Sequence, residues 1–270
     1  MIESGKTFVV MGLLDADSIA FAIGKQIQAF GGKVIYTVQS ERMKKIFFDR
    51  SKKLTDEDRA NLDIRFCDVT NDEEVETLFN GIDGPIAGLV HSIAYSNPKT
   101  CLGPEFHTDA YEDLKNGFVI SAVSLATVTR YAQPKMTEGG GIVTLTFASE
   151  RAFAYYNWMG VNKAALEAVV RGLARRHGKD KVRVNAVSAG PVFTIAAKHI
   201  PGFDELGQTW AKSSPLNWDP MNAQTEVAGA VAFLLSPYSK QITGQTLYVD
   251  GGTSMVGGEL MPHERADAQA

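Results

Sequence analysis

The stretch KTFVVMGLLDADSIAFAIGKQIQAFGGKVIYTV, Lys6 to Val38, changes its hydrophobic period twice. KTFVVMG, Lys6 to Gly12, is short and mostly apolar and reads as a strand. From Ser18 to Phe30 the period is helical. Ile19, Ala22, Ile23, Ile27 and Phe30 share one face, and Gly31-Gly32 is the stop. Lys33 to Val38 is again a strand. Strands that are apolar nearly throughout are buried on both faces, so this unit predicts parallel strands joined by a right-handed helical crossover.

The alternation continues along the chain. Arg42 to Arg59 suits an exposed helix and loop, Leu62 to Cys67 a third strand, Asp72 to Asn80 a helix, and IAGLVHSIA, 86–94, a fourth strand. Tyr111 to Tyr131 is a long helix stopped by Pro134. GGIVTLTF opens a fifth strand at Gly140, and Tyr156 to His177 is a second long helix. VRVNAVSAG, 182–190, and TGQTLYVDGG, from Thr243, complete seven strands. The expected fold is α/β: one doubly wound (Rossmann) domain over 1–261, a seven-stranded parallel sheet with helices on both faces. A polar tail, 262–270, follows and is expected to fray.

The chain has 270 residues, 44% hydrophobic and 21% charged, ordinary values for a soluble globular protein. A formal charge of −4 argues against nucleic acid or an anionic membrane as partner. No run of about 18 apolar residues suggests a membrane span, and MIESGKTFVVMG does not resemble a secretory leader. Cys67 and Cys101 match no metal spacing; reduced thiols in a cytoplasmic protein are expected, and no metal.

In such a sheet ligands bind at the carboxyl ends of the strands. The first turn, GLLDADSIAFAIG, is not the G-x-G-x-x-G fingerprint. Gly12 ends the strand, Ser18 can cap the helix, and small Ala20 would let backbone approach a pyrophosphate at the helix start. A plain strand-helix turn satisfies the same residues. After the second strand, neutral Gln39 can serve an unphosphorylated ribose, which favours NADH over NADPH. Arg42 and Lys44 close behind could attract a phosphate, or simply solvate a helix start. Asp68 could accept from an adenine amino group and the Val69 amide could donate. Ser92, Ile93 and Ala94 are small enough to lie against a cofactor, whereas His91 reads as a packed, hydrogen-bonded histidine.

Reducing a polarised double bond needs a hydride donor, a group that stabilises the oxyanion, and a charge that holds the cofactor. Tyrosine followed by lysine at four residues occurs at Tyr95-Lys99, Tyr111-Lys115 and Tyr131-Lys135, none of them after the fifth strand. Tyr156 and Lys163 are better placed. Seven residues make about two turns, so both project from nearly one face, ~10 Å apart along the axis. Tyr155 would diverge by about 100°. An exposed lysine and a core aromatic remain the plain alternative.

Within SERAFAYYNWMGVNKAALE, the pattern Tyr156-x6-Lys163 resembles the catalytic segment of the NADH-dependent enoyl-acyl-carrier-protein reductases, a divergent branch of the short-chain dehydrogenase/reductases. The likeness extends to GLLDADSIAFAIG, HSIA, VRVNAVSAGPVFT and GQTLYVDGG. It implies reduction of a trans-2-enoyl thioester with NADH in fatty-acid elongation, acyl carrier protein as substrate carrier, and a cytoplasmic homotetramer. Tyr156 would donate to the thioester carbonyl and Lys163 would bind the nicotinamide ribose. Gly12, Ser18, Ile19, Gln39, Asp68, Val69 and Ile93 would line the cofactor site, closed by Ala189, Gly190, Pro191 and Thr194. Many bacterial members carry a tyrosine at the end of the fifth strand. Here that aromatic is Phe147, which resembles the mycobacterial long-chain type, as do YNWM and SPLNWDP; it would act as an apolar gate. Residues 195–218 would form a helical substrate lid, with Ile195, Ala196, Ile200 and Phe203 against the acyl chain. Met159 and Phe153 are candidates for that pocket or for core packing. A dienoyl or carbonyl reductase of the same superfamily, or a silent dinucleotide-binding regulator, are the alternatives.

Overall fold

A computed structural model describes residues 1–106 and 109–265, the side chains of Asp58 and Pro262 excepted. Of the polar tail 262–270, residues 266–270 therefore lie outside the described residues, and Pro262–Glu264 form a 3-10 turn.

The first unit is β1 (Thr7–Met11), α1 (Ile19–Ala29) and β2 (Lys33–Val38). Helix α1 starts where Ser18 Oγ accepts from the Phe21 amide. It ends at Gly31, whose φ of +86° closes the last turn through bonds from the Gly31 and Gly32 amides to Gln28 and Ile27 carbonyls. Next come α2 (Glu41–Met43), which runs into a π turn at Lys44–Phe48, α3 (Asp56–Ala60) and β3 (Asp63–Phe66). Helix α4 (Asp72–Asn80) is capped by Asn71 Oδ1, and Asp72, Glu73 and Glu74 sit on the positive end of its dipole. Then follow β4 (Ile86–His91), α5 (Tyr111–Phe118), α6 (Ser124–Ala132), β5 (Gly140–Thr146) and α7 (Asn157–His177). The chain closes with β6 (Val182–Ala189), α8 (Phe203–Ser213), α9 (Gln224–Leu235) and β7 (Thr246–Val249).

All seven strands are parallel, in the order β3-β2-β1-β4-β5-β6-β7. One core cluster, containing α1 and α9, covers one face of the sheet; a second, with α4, α6 and α7, covers the other. The strand order reverses between β1 and β4, which opens a crevice there at the carboxyl edge. Where α1 crosses β2, a Cβ on Gly24 would lie 2.0 Å from the buried Tyr36 hydroxyl, so glycine sets that close approach.

Three features depart from expectation. Helix α9 carries no helical period in sequence because Ala230 and Phe233, on its half-buried side, are as apolar as the buried Val227, Ala228, Val231, Ala232, Leu234 and Leu235. The helix expected over 111–131 is interrupted by a π turn at Val119–Val123. There Ser121 Oγ bonds the backbone of Tyr95, and Ser124 Oγ donates to Ile120 O at 2.5 Å. Finally α7 begins at Asn157, one residue after Tyr156.

Candidate active site

One cavity of about 750 Å³ runs along the carboxyl edge of the sheet across the switch point. Gly12 from β1, Gln39 after β2, and Asp68 with Val69 after β3 line one half, together with Ser18 and Ile19 at the start of α1. Ser92, Ile93 and Ala94 after β4 lie at the centre. Phe147 after β5, Tyr156, Met159 and Lys163, and the run Ala189, Gly190, Pro191 and Thr194 after β6 line the other half. Ile195, Ala196, Ile200 and Phe203 close the far end. Of the residues that the family resemblance and the acyl-pocket reading place at the site only Phe153 is off the wall. It packs behind it, on Phe147 (ring centroids 4.9 Å) and Trp210 (5.3 Å).

At the first turn, Gly12 has φ +91°. Its amide and that of Leu13 both donate to Thr37 O. The Ser18 hydroxyl caps the helix and donates to Asp15 O at 2.7 Å, so its proton is used within the turn. An anion would meet instead the unpaired amides that every helix start leaves. Ala20 does not face the cavity: it is fully buried in the core under α1, and its small size serves packing. Asp15, which the sequence reading passed over, lies on the wall, and burial pushes its carboxyl up.

At the end of the cavity below β2 and β3, Gln39 Nε2 donates to Asp68 Oδ2 at 2.8 Å. Asp68 Oδ1 takes the Thr70 amide and hydroxyl, at 2.9 and 2.7 Å. These bonds to Thr70 and Gln39 hold the Asp68 carboxyl below its usual range against the opposing effect of burial. The Gln39 amide is thereby oriented through its nitrogen, and its carbonyl oxygen could accept from a hydroxyl of a bound ligand. Lys44 pairs with Asp49 at 2.7 Å, as a solvated helix start would have it, and Arg42 is exposed on α2, off the cavity wall.

At the reacting end, Lys163 is buried and donates from Nζ to Leu145 O at 2.8 Å. Burial pulls its pKa down to about 8, with Glu167 acting in the opposite direction. Phe147 packs on the Tyr156 ring (centroids 4.9 Å), and burial pushes the Tyr156 hydroxyl up, so it is a neutral donor at physiological pH. His91 lies beneath with Nδ1 2.9 Å from Thr144 Oγ1 and Nε2 2.8 Å from Ser124 Oγ. Burial and the Lys163 charge pull its pKa down to about 3, which leaves it a neutral structural group.

Tyr156 occupies the N-cap position of α7 (φ −86°, ψ −21°) rather than a place on its face. Tyr155 faces elsewhere, as expected, but because its own φ is +65°, not because of a helical step. Three wall segments escaped the sequence reading: Tyr95, Ser96, Pro98 and Leu102 after β4, Met43 with Phe47 after β2, and Asn116 with Ile120 on α5 and the π turn that follows it. The first had a signal, since the sequence leaves 95–110 without a hydrophobic period over a stretch longer than ordinary loops.

The residues present fit a dinucleotide. The start of α1 offers backbone donors that could hold a pyrophosphate, Gln39 and Asp68 offer acceptors that could hold a ribose, and Lys163 is a buried cation toward the other end.

Against known proteins, residues 12–254 match the family model described as "Enoyl-(Acyl carrier protein) reductase". The chain is similar to the NADH-dependent enoyl-acyl-carrier-protein reductase FabI of Bacillus subtilis (strain 168), at 40% identity over 92% of this chain and 95% of that protein. It is also similar to the NADH enzyme of Mycolicibacterium smegmatis, at 38% identity over 93% and 96%. Among solved structures it resembles the Bacillus cereus reductase crystallised with NADP+ and indole naphthyridinone. There the TM-score is 0.86, with 38% identity over 94% of this chain and 98% of that one.

Proposed function

The chain belongs to the enoyl-(acyl carrier protein) reductase family, and on that premise we propose that it reduces the trans-2 double bond of an enoyl thioester on acyl carrier protein, using NADH, in fatty-acid elongation. The observation that carries this reading is the convergence of Tyr156, Lys163 and Phe147 on the wall of the cavity that also holds the dinucleotide residues.

Gln39 and Asp68 hold the adenosine, and the amides at the start of α1 hold the pyrophosphate. Acceptors beside the ribose suit hydroxyls and repel a 2′-phosphate, which supports NADH, although relatives differ in the nucleotide they take. Lys163 binds the nicotinamide ribose. A dinucleotide bound there would supply hydride to the β-carbon, and a proton taken up at the α-carbon would complete the saturated thioester. Tyr156 donates to the thioester oxygen as negative charge collects there, a stabilisation that is large in a site closed to water. Phe147 shields the reacting end. Ile195, Ala196, Ile200, Phe203 and Leu206 form an apolar wall for the acyl chain, each buried methylene contributing about 0.8 kcal/mol. The lid role belongs to the first half of 195–218, because Trp210 and Trp218 are core residues and Trp218 Nε1 is tied to Pro191 O at 2.8 Å.

A cytoplasmic homotetramer completes the reading. Leu247 and Tyr248 on the edge strand, and Tyr111, Phe118 and Val161 on α5 and α7, expose apolar surface that other copies would cover. Among the described residues no helix is long and apolar enough to cross a membrane.

The direct test mixes protein, NADH and a trans-2-enoyl thioester and follows loss of reduced-nicotinamide absorbance. No turnover with short or long acyl chains, with NADH or NADPH, would reject the reading.

The depressed Lys163 pKa sets a pH dependence. Below about 8 the ammonium is charged and can donate to the ribose; above it the charge is lost. NADH affinity is expected to be level at lower pH and to weaken as pH rises through that value. Lys163→Arg should remove the limb. Lys163→Ala should weaken NADH roughly tenfold below about pH 8, about what a charge-assisted hydrogen bond contributes, and progressively less above it. Between about 8 and 10.5 the unfolded chain binds the extra proton, so unliganded stability should rise across that window. A flat NADH titration from pH 7 to roughly pH 10 would contradict the assignment.

A further inference from the structure

Tyr156 sits in a turn with unusual backbone. Tyr155 (φ +65°) and Asn157 (φ +29°) flank it, two of the four non-glycine residues with positive φ among the described residues. Such conformations persist where surroundings over-determine them, and they gather at functional sites.

The surroundings are specific. Asn157 Nδ2 donates to Gly103 O at 2.5 Å and to Glu105 O at 3.1 Å. The Gly103 amide returns a bond to Tyr155 O at 3.0 Å. The Trp158 amide donates to Cys101 O at 3.3 Å and its indole Nε1 to Phe106 O at 2.8 Å, with its ring stacked on Phe106 at 5.2 Å. Residues 101–106 are thus stapled to both sides of Tyr156, and Leu102 within them lines the cavity. On the other side, a Cβ on Gly202 at the start of α8 would lie 2.3 Å from the Tyr155 ring, so the acyl wall leans on the same turn. None of these bonds uses the Tyr156 hydroxyl.

We propose that Asn157 is a positioning residue for the reduction: its two bonds to the backbone of residues 103–105 hold the turn in its left-handed form and so place the Tyr156 hydroxyl at the thioester oxygen. Without them the turn is free to continue α7 by a residue. One helical step rotates a side chain by about 100°, enough to take the Tyr156 ring off Phe147. The inference rests on the proposed role of Tyr156 as oxyanion donor.

Asn157→Asp keeps the shape but cannot donate, and Asn157→Gly accepts positive φ but makes no side-chain bond. Both should lower kcat about 30- to 100-fold, the order that an ångström of misplacement produces, with KM for NADH within about twofold. In a Tyr156→Phe background, Asn157→Asp should lower kcat less than about twofold further, because coupled residues are not additive. If the losses multiply, or if kcat falls less than about threefold in the single variants, Asn157 does not act through Tyr156. Should Asn157→Asp unfold, Asn157→Gly decides by the same criteria. Absence of turnover in the unaltered protein would instead overturn the functional reading beneath.

Discussion

Tyr156→Phe is expected to lower kcat by about 10²- to 10³-fold, the range seen when one oxyanion donor is removed, with NADH affinity changed less than about twofold. The ring is retained, so its packing on Phe147 at 4.9 Å survives. Only the hydroxyl is lost, and Phe147 has none to offer in its place. Burial pushes the Tyr156 hydroxyl up, and its effect is therefore that of a neutral donor, not of a group that titrates near neutrality. The loss should accordingly be the same at pH 6 and pH 8, unlike that of Lys163→Ala, which acts on cofactor affinity. Steady-state kinetics with a saturating enoyl thioester, beside a direct NADH titration, separates the two. A residual rate within about threefold of the unaltered protein would remove Tyr156 from the chemistry.

Why the fold was legible from Lys6 to Val38, and the turn at Tyr156 was not, has a physical answer. The strands are buried on both faces and the first helix on one, so both leave a hydrophobic period in sequence; β2 (Lys33–Val38) and α4 (Asp72–Asn80) match the expected bounds. Helix α9 is apolar all round and leaves none, but a parallel β6-β7 pair requires a crossover element between them. At the site, topology predicts which strand ends meet the cavity: Gly12 and Asp68 reach it because their strands do, whereas Ala189 is expected there from the family resemblance. Ala20 packs in the core and Phe153 takes the core-packing alternative, since a small or aromatic residue looks the same in sequence whether it faces a cavity or a core. The seven-residue step from Tyr156 to Lys163 points to two residues that do share the cavity wall, but through a helical geometry that Tyr156 does not have. What places it is backbone with positive φ at Tyr155 and Asn157, held by carbonyls some fifty residues away, and no local pattern encodes a partner at that distance.

Gly12→Ala should produce the largest loss of stability, and a matched control shows why. Gly5 and Gly12 both have positive φ, +78° and +91°. A Cβ on Gly5 meets nothing within 4 Å, so Gly5→Ala isolates conformational strain, about 1–2 kcal/mol. A Cβ on Gly12 would lie 2.1 Å from Ser92 O and 2.8 Å from Ser92 C. Both are backbone atoms of the neighbouring strand end, and the Ser92 amide is bonded to Met11 O at 3.2 Å, so no side chain can swing aside. Relief requires β1 and β4 to part at the switch point, which adds about 1–3 kcal/mol of overpacking to the same strain. Together that is on the order of 2–5 kcal/mol, or roughly 4–20 °C in thermal midpoint for a chain of this size. The parting strands carry Gly12, Ser92 and Ile93 on the cavity wall, so NADH affinity should fall with stability in Gly12→Ala and stay intact in Gly5→Ala. Saturating NADH should then raise the midpoint of Gly5→Ala as it does that of the unaltered protein, and raise that of Gly12→Ala far less. Equal midpoints for the two variants would mean that the close approach of β1 to β4 is not what requires glycine at position 12.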